Sequence, residues 1–287
     1  MLKYRLIFGT LMTIVFIALI LFDGRLDGSL SAQKPDAPVQ ATLLAVFLVI
    51  LAIPANLELS KLVSSAGAKI FLPITITGSI LLSTVWYWSQ FFADKNRTAA
   101  LGFAFVVCLS VLAIFLWQGI KYAAVGAFSN CGANLLTLVY LGALTSFVIA
   151  LRIDFGPIAF LMYIFVVKCA DIGAYTIGRI FGKHKFSPVI SPKKTWEGMA
   201  GAVVFAVVVS SIIAKVFGIM LLRQAVLFGV IFAFLGQLGD LAESMLKRAA
   251  EQKDSSNSVP GFGGVLDVID SPLATGVFAY LFFMLIK

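Results

Sequence analysis

Apolar runs of helix length alternate along the chain with short polar segments. Nine such runs can be traced: about Leu6–Phe22, Ala41–Pro54, Ile70–Trp88, Ala99–Ile120, Leu135–Ala150, Ile158–Ile180, Met199–Phe217, Ala225–Leu246 and Pro272–Ile286. A helix needs roughly 20 mainly apolar residues to cross a bilayer. The pattern therefore predicts an all-α polytopic membrane protein of about nine transmembrane helices. Pro54 and Asn56 are expected to end or kink the second helix, and Asp154–Pro157 to form a short turn. The first run follows Lys3 and Arg5 as a secretory signal would. It is long for a signal, and Asp23, Arg25 and Asp27 come directly after it, so it reads as a retained span.

Composition sharpens this picture. Of 287 residues, 60% are hydrophobic and only 13% are charged, and the mean hydropathy is +1.00. Soluble domains run nearer 45–50% apolar and about 25% charged, which excludes a single soluble core. Cys108, Cys131 and Cys169 show no pairing pattern, and His184 is the single histidine, so neither a disulfide framework nor a zinc site is indicated. The net charge of +8 matters through its placement. With nine spans, the N-terminus and the even-numbered loops hold thirteen lysines and arginines, and the opposite side holds seven. The richer side is expected to be cytoplasmic.

The first five runs carry almost no ionisable residues, and residues 1–157 read as a transmembrane scaffold of about five spans. Residues 158–287 read as a catalytic region of about four spans with two cytoplasmic motif loops. Within them, Lys168 and Asp171 share a helix face, as do Asp240 and Glu243. Asp267 and Asp270 repeat that spacing just before the last run. Charges in a bilayer cost several kcal/mol each when left unpaired, so such a concentration marks a working site. An all-oxygen set suits Mg2+ or Mn2+ rather than zinc. Ser191-Pro-Lys-Lys-Thr-Trp-Glu-Gly198 brings Lys193, Lys194 and the Ser191 and Thr195 hydroxyls to a helix start, a natural place for an anion. Trp196 reads equally well as an interfacial anchor or a stacking platform, and His184 as a surface or phosphate-proximal residue. The glycines of Pro260-Gly-Phe-Gly-Gly264 would allow close approach to a phosphate.

Together these segments resemble the phosphatidate cytidylyltransferase (CDP-diacylglycerol synthase) family. The resemblance rests on Asp171-Ile-Gly-Ala-Tyr-Thr-Ile-Gly178, Gly182-Lys183, Ile190–Gly198, Gly239-Asp-Leu-Ala-Glu-Ser244, Lys247-Arg248, Lys253-Asp-Ser-Ser256, Pro260-Gly261, Gly263-Gly264, Leu266-Asp267 and Asp270-Ser271. The family commonly has His where Phe262 stands and Arg where Val268 stands. The resemblance implies transfer of the cytidylyl group of CTP to phosphatidic acid, giving CDP-diacylglycerol and pyrophosphate. Asp240, Asp267 and Asp270 would hold the metal, with Asp171 and Glu243 as ligands or orienters and a second, monovalent cation compatible with the site. Asp240, Asp267, Asp270 and Lys194 would be catalytic. Ser191, Lys193, Lys194, Thr195, Lys247, Arg248, Lys253, Asp254, Gly263 and Gly264 would meet substrate. The expected partners are CTP, phosphatidic acid and membrane lipid, with no nucleic acid, in a homodimer in the bacterial inner membrane with its site facing the cytoplasm. A CTP-dependent polyprenol or phytol kinase and a secondary transporter are the competing readings.

Overall fold

A computed structural model describes residues 2–30, 39–256, 258, 259 and 263–287. Lys34, one of the seven basic residues on the sparser side, and residues 260–262 of the glycine-rich segment lie outside the described residues. The chain is α-helical almost throughout. The helices are α1 (Leu2–Leu26), α2 (Thr42–Ser65), α3 (Leu72–Ser83), α4 (Val85–Ser89), α5 (Lys95–Tyr122), α6 (Ala127–Thr137), α7 (Leu144–Phe181), α8 (Trp196–Phe217), α9 (Leu222–Ala249) and α10 (Val265–Ile286). A π-helical turn, Leu138–Ala143, joins α6 to α7. The strands β1 (Lys185–Ser187) and β2 (Ser191–Thr195) pair as an antiparallel hairpin in the basic loop.

Among the described residues, seven helical runs are long and apolar enough to cross a membrane. One of them, Ala127–Phe181, is 55 residues long, and α3 is a shorter apolar helix of 12 residues. The count of nine treats the two limbs of the long run separately and includes α3 with α4. The fold is that of an all-α, polytopic integral membrane protein.

Three boundaries differ from expectation, each at a residue that is often read as a stop. The expected turn at Asp154–Pro157 is a break at a single residue: Gly156 takes φ 84°, ψ 175° inside an otherwise helical α7. Glycine tolerates that conformation, and Pro157 suits the first position of the limb that follows. Pro54 does not end its helix; α2 continues to Ser65, while the Asn56 side chain donates to the Ala52 carbonyl at 2.8 Å. Proline at 272 likewise sits inside α10, so Asp267 and Asp270 lie on the helix rather than ahead of it. The Tyr163 hydroxyl donates to the Pro272 carbonyl and lies 3.0 Å from Thr275 Oγ1, which ties α10 to the middle of α7.

The core runs between α7, α8, α9 and α10, with α2 packed against α10. Small residues set the spacing. A Cβ on Gly201 would lie 2.6 Å from the Gly173 carbonyl oxygen, so α7 and α8 touch backbone to backbone. On α9, a Cβ on Gly239 would lie 2.8 Å from Ala274 Cβ. That approach brings Asp240, the next residue, against the first turns of α10.

A candidate active site between three helices and a hairpin

Four elements converge on the charged region. From α9 come Gln237, Asp240, Glu243 and Lys247; from α10, Asp267 and Asp270; from α7, Lys168 and Asp171; from β2, Lys194. The three-residue spacing of Asp240 and Glu243 puts both on the side of α9 that faces α10. Carboxylate oxygens of Asp240, Glu243 and Asp270 all lie within 4.8 Å of one another. Glu243 is 1% exposed and Asp270 5%. The Oε1 atom of Glu243 is buried and accepts no hydrogen bond. Like charges this close repel, and a buried carboxylate oxygen without a donor is costly. Three oxygen donors with one left over form a set that could hold a hard divalent cation.

Around this trio the charges are paired. Lys194 Nζ is 2.9 Å from Asp240 Oδ2 and donates to the Gln237 carbonyl at 2.9 Å. Lys168 Nζ lies 3.7 Å from Asp171 Oδ2 and 4.0 Å from Asp270 Oδ1. The Gln237 side chain donates to Asp171 at 3.1 Å, so Asp171 is one bond removed from α9. Asp270 Oδ1 also accepts the Ser271 amide at 2.6 Å.

Asp267, expected beside Asp240 and Asp270, has other partners. Its Oδ1 is 2.5 Å from Lys247 Nζ, which is also 2.5 Å from Glu243 Oε2. Its Oδ2 accepts the Gly264 amide at 2.7 Å, the Ser255 amide at 3.0 Å and the Ser255 hydroxyl at 2.8 Å. Asp267 thus caps the helix that carries it and holds Lys247 against Glu243. The backbone amides of Gly263 and Gly264 are already used, on the Val259 carbonyl and on Asp267 respectively.

The remaining expected residues divide in two. Thr195 caps α8: its hydroxyl accepts the Gly198 amide at 3.1 Å. Arg248 reaches the Ile190 carbonyl at 3.4 Å and joins the two motif loops. Lys193, Lys253 and Asp254 are exposed, and Ser191 is half-buried. Trp196 is 54% exposed and meets the Phe186 ring edge-on at 4.8 Å. His184, largely exposed, pairs with Glu197 at 2.6 Å.

One residue that holds this region lies far outside the C-terminal motifs. Glu58, on the part of α2 beyond Pro54, accepts bonds from α10 and from the serines before it. It is 3% exposed. A glutamate bracketed by Leu57, Leu59 and Leu62 was the available sequence signal; reading α2 as ending at Pro54 hid it.

The chain matches the model of the cytidylyltransferase family over residues 3–286. It is 32% identical over 292 residues to the phosphatidate cytidylyltransferase of Bacillus subtilis, covering 99% of this chain and 97% of the relative. It is 30% identical over 259 residues to that of Haemophilus influenzae, covering 73% and 89%. With the Helicobacter pylori phosphatidate cytidylyltransferase the identity is 42% over 135 residues, covering 46% of this chain and 50% of the relative. The match runs through the apolar scaffold as well as the charged region, and the chain belongs to the cytidylyltransferase family.

Proposed function

We propose that this protein transfers the cytidylyl group of CTP to phosphatidic acid, forming CDP-diacylglycerol and releasing pyrophosphate. A phosphate oxygen of the lipid forms the new bond to the α-phosphorus of CTP, and the bond to the pyrophosphate leaving group breaks. The lipid phosphate is already an anion, so the step calls for little base catalysis. Its barrier is repulsion between anions, and positioning with charge neutralisation lowers it. The observation that carries this reading is the trio of half-exposed Asp240 with buried Glu243 and Asp270, ringed by Lys168, Lys194 and Lys247.

The trio fits Mg2+, with Mn2+ as a substitute, and a bound divalent cation supplies positive charge to the triphosphate. Lys194 reaches the trio from the hairpin and is placed to neutralise phosphate while keeping its tie to Asp240. Lys193, Arg248 and Lys253 supply exposed positive charge around it. Lys247 is held by Glu243 and Asp267 and is placed to orient both carboxylates rather than to leave them. Lys194 brings the basic hairpin to the trio, and we assign the end of the bundle that carries the basic loops to the cytoplasmic face of the inner membrane. CTP then enters from water and phosphatidic acid from the adjoining leaflet. A homodimer is the assembly we expect. The relatives are named for cytidylyl transfer rather than for phosphorylation of an alcohol or for transport.

Purified protein in detergent, given CTP, phosphatidic acid and Mg2+, is expected to release pyrophosphate only when the lipid is present and to stop when a chelator is added. Release of CDP in place of pyrophosphate would overturn the reading in favour of a lipid kinase. No turnover by folded protein would remove the enzyme assignment.

A further inference from the structure

We propose that Glu58 is a positioning residue for the cytidylyl transfer, and that the N-terminal half therefore completes the site instead of merely supporting it. The inference rests on the function proposed above. Glu58 belongs to α2, and every group it binds lies about two hundred residues later in the chain. Its Oε1 accepts the Val265 amide at 3.0 Å and the Ser256 hydroxyl at 2.6 Å. Its Oε2 accepts the Leu266 amide at 3.0 Å and the Ser255 hydroxyl at 3.1 Å. The first four amides of a helix have no partner within it. Here Glu58 takes the first two of α10, while Asp267 takes that of Gly264, just before the helix.

Ser255 is shared between the two carboxylates. Its hydroxyl lies 3.1 Å from Glu58 Oε2 and 2.8 Å from Asp267 Oδ2, and its amide donates to Asp267 at 3.0 Å. Moving Glu58 therefore moves the partner that, with Lys247, fixes Asp267. Asp267 sits one turn before Asp270, so the same displacement carries Asp270 away from Asp240 and Glu243. Gly264 shows how tight the junction is: a Cβ there would run into the Ser255 hydroxyl and the Glu58 carboxylate. A buried anion next to a site for a triphosphate is unfavourable unless it is neutralised locally. Four donors and the positive end of α10 do that.

Glu58→Gln keeps the size but turns one acceptor into a donor that faces groups which themselves donate. Two measurements on the purified full-length protein test the proposal. In steady-state kinetics, kcat is expected to fall about 10- to 100-fold, as for outer-shell partners of metal ligands, with KM for CTP within about threefold. In hydrogen exchange, the amides of Ser255, Gly264, Val265 and Leu266 are expected to exchange faster while those of the 185–195 hairpin stay unchanged. Glu58→Asp, which keeps charge and both oxygens, is expected to retain more activity than Glu58→Gln. It also carries the same comparison if the glutamine variant fails to fold. A kcat within about twofold of wild type, or exchange that accelerates equally in the hairpin, would overturn the positioning role. If wild-type protein releases no pyrophosphate, the cytidylyl reading fails by itself, and the exchange comparison still decides whether Glu58 pins α10.

Discussion

Asp267 and Asp270 lie one turn apart on the same helix, yet they have different surroundings. Asp270 faces Asp240 and Glu243 across the seam with α9. Asp267 has both oxygens occupied, one by Lys247 and the other by Ser255 and Gly264. The two should therefore fail differently. In Asp240→Asn and Asp270→Asn, Mn2+ affinity, read by titration of purified protein, is expected to drop by more than the roughly 10- to 100-fold typical of outer-shell changes. In Asp267→Asn it is expected to drop within that range, while turnover falls because Lys247 and the start of α10 lose their anchor. Equal losses at all three positions would return Asp267 to the metal. Much of this was legible in the sequence, because the i,i+3 spacing of carboxylates on a helix survives errors in where the helix starts. The division of labour between Asp267 and Asp270 was not legible. It depends on which partners a third segment, Ser255–Gly264, brings to each oxygen.

At the scale of elements, apolar periodicity marks which runs are helical more firmly than where they stop. Pro54, Pro272 and the Asp154–Pro157 stretch all read as interruptions because proline lacks a donor and glycine favours turns. In none of these does the helical run end there: α2 continues to Ser65, α10 begins ahead of Pro272, and Gly156 alone leaves the helix. Because α2 runs on past Pro54, Glu58 lies on it and reaches α10. Helix contact also explains why α9 carries glycine directly before Asp240. Gly239 lets α9 lie against Ser271 and Ala274 of α10, with its hypothetical Cβ 3.3 Å from Ser271 Cα. Gly239→Val is expected to push the helices apart. Overpacking of this kind costs about 1–3 kcal/mol, which a lowered melting temperature in detergent would register. Pyrophosphate release should fall further than stability does, because the displaced neighbours are Asp240 and Asp270. A variant that melts early but turns over normally at low temperature would show that this seam does not set the carboxylate geometry.

At the scale of the whole molecule, a second buried charge cluster lies apart from the first. Arg152 is 0% exposed, and its Nη2 is 3.1 Å from Asp23 Oδ2 and 2.9 Å from Asp27 Oδ2. Asp23 also accepts the Leu43 amide, and Asp27 the Ala41 amide, so one guanidinium ties the end of α1 and the start of α2 to α7. Burial would raise the Asp27 pKa. The Ser29 hydroxyl and amide, the Ala41 amide and Arg152 outweigh that and hold it below the usual carboxylate value. An arginine two residues before the expected Asp154–Pro157 turn would ordinarily be solvated. In the folded chain it belongs to the scaffold's interior. Removing one member leaves uncompensated charge in an apolar setting, whereas replacing the whole set leaves none. Arg152→Met is therefore expected to destabilise the protein by about 3–5 kcal/mol. Adding Asp23→Asn and Asp27→Asn to it is expected to recover part of that loss. Thermal melting in detergent reads both. The kcat of whatever Arg152→Met protein remains folded should stay near the wild-type value, since no residue of this cluster touches the Asp240–Glu243–Asp270 trio. A kcat loss matching that of Glu58→Gln would mean that the two clusters are coupled through α2, the helix that meets Asp23 and Asp27 at its start and reaches α10 through Glu58 in its later turns.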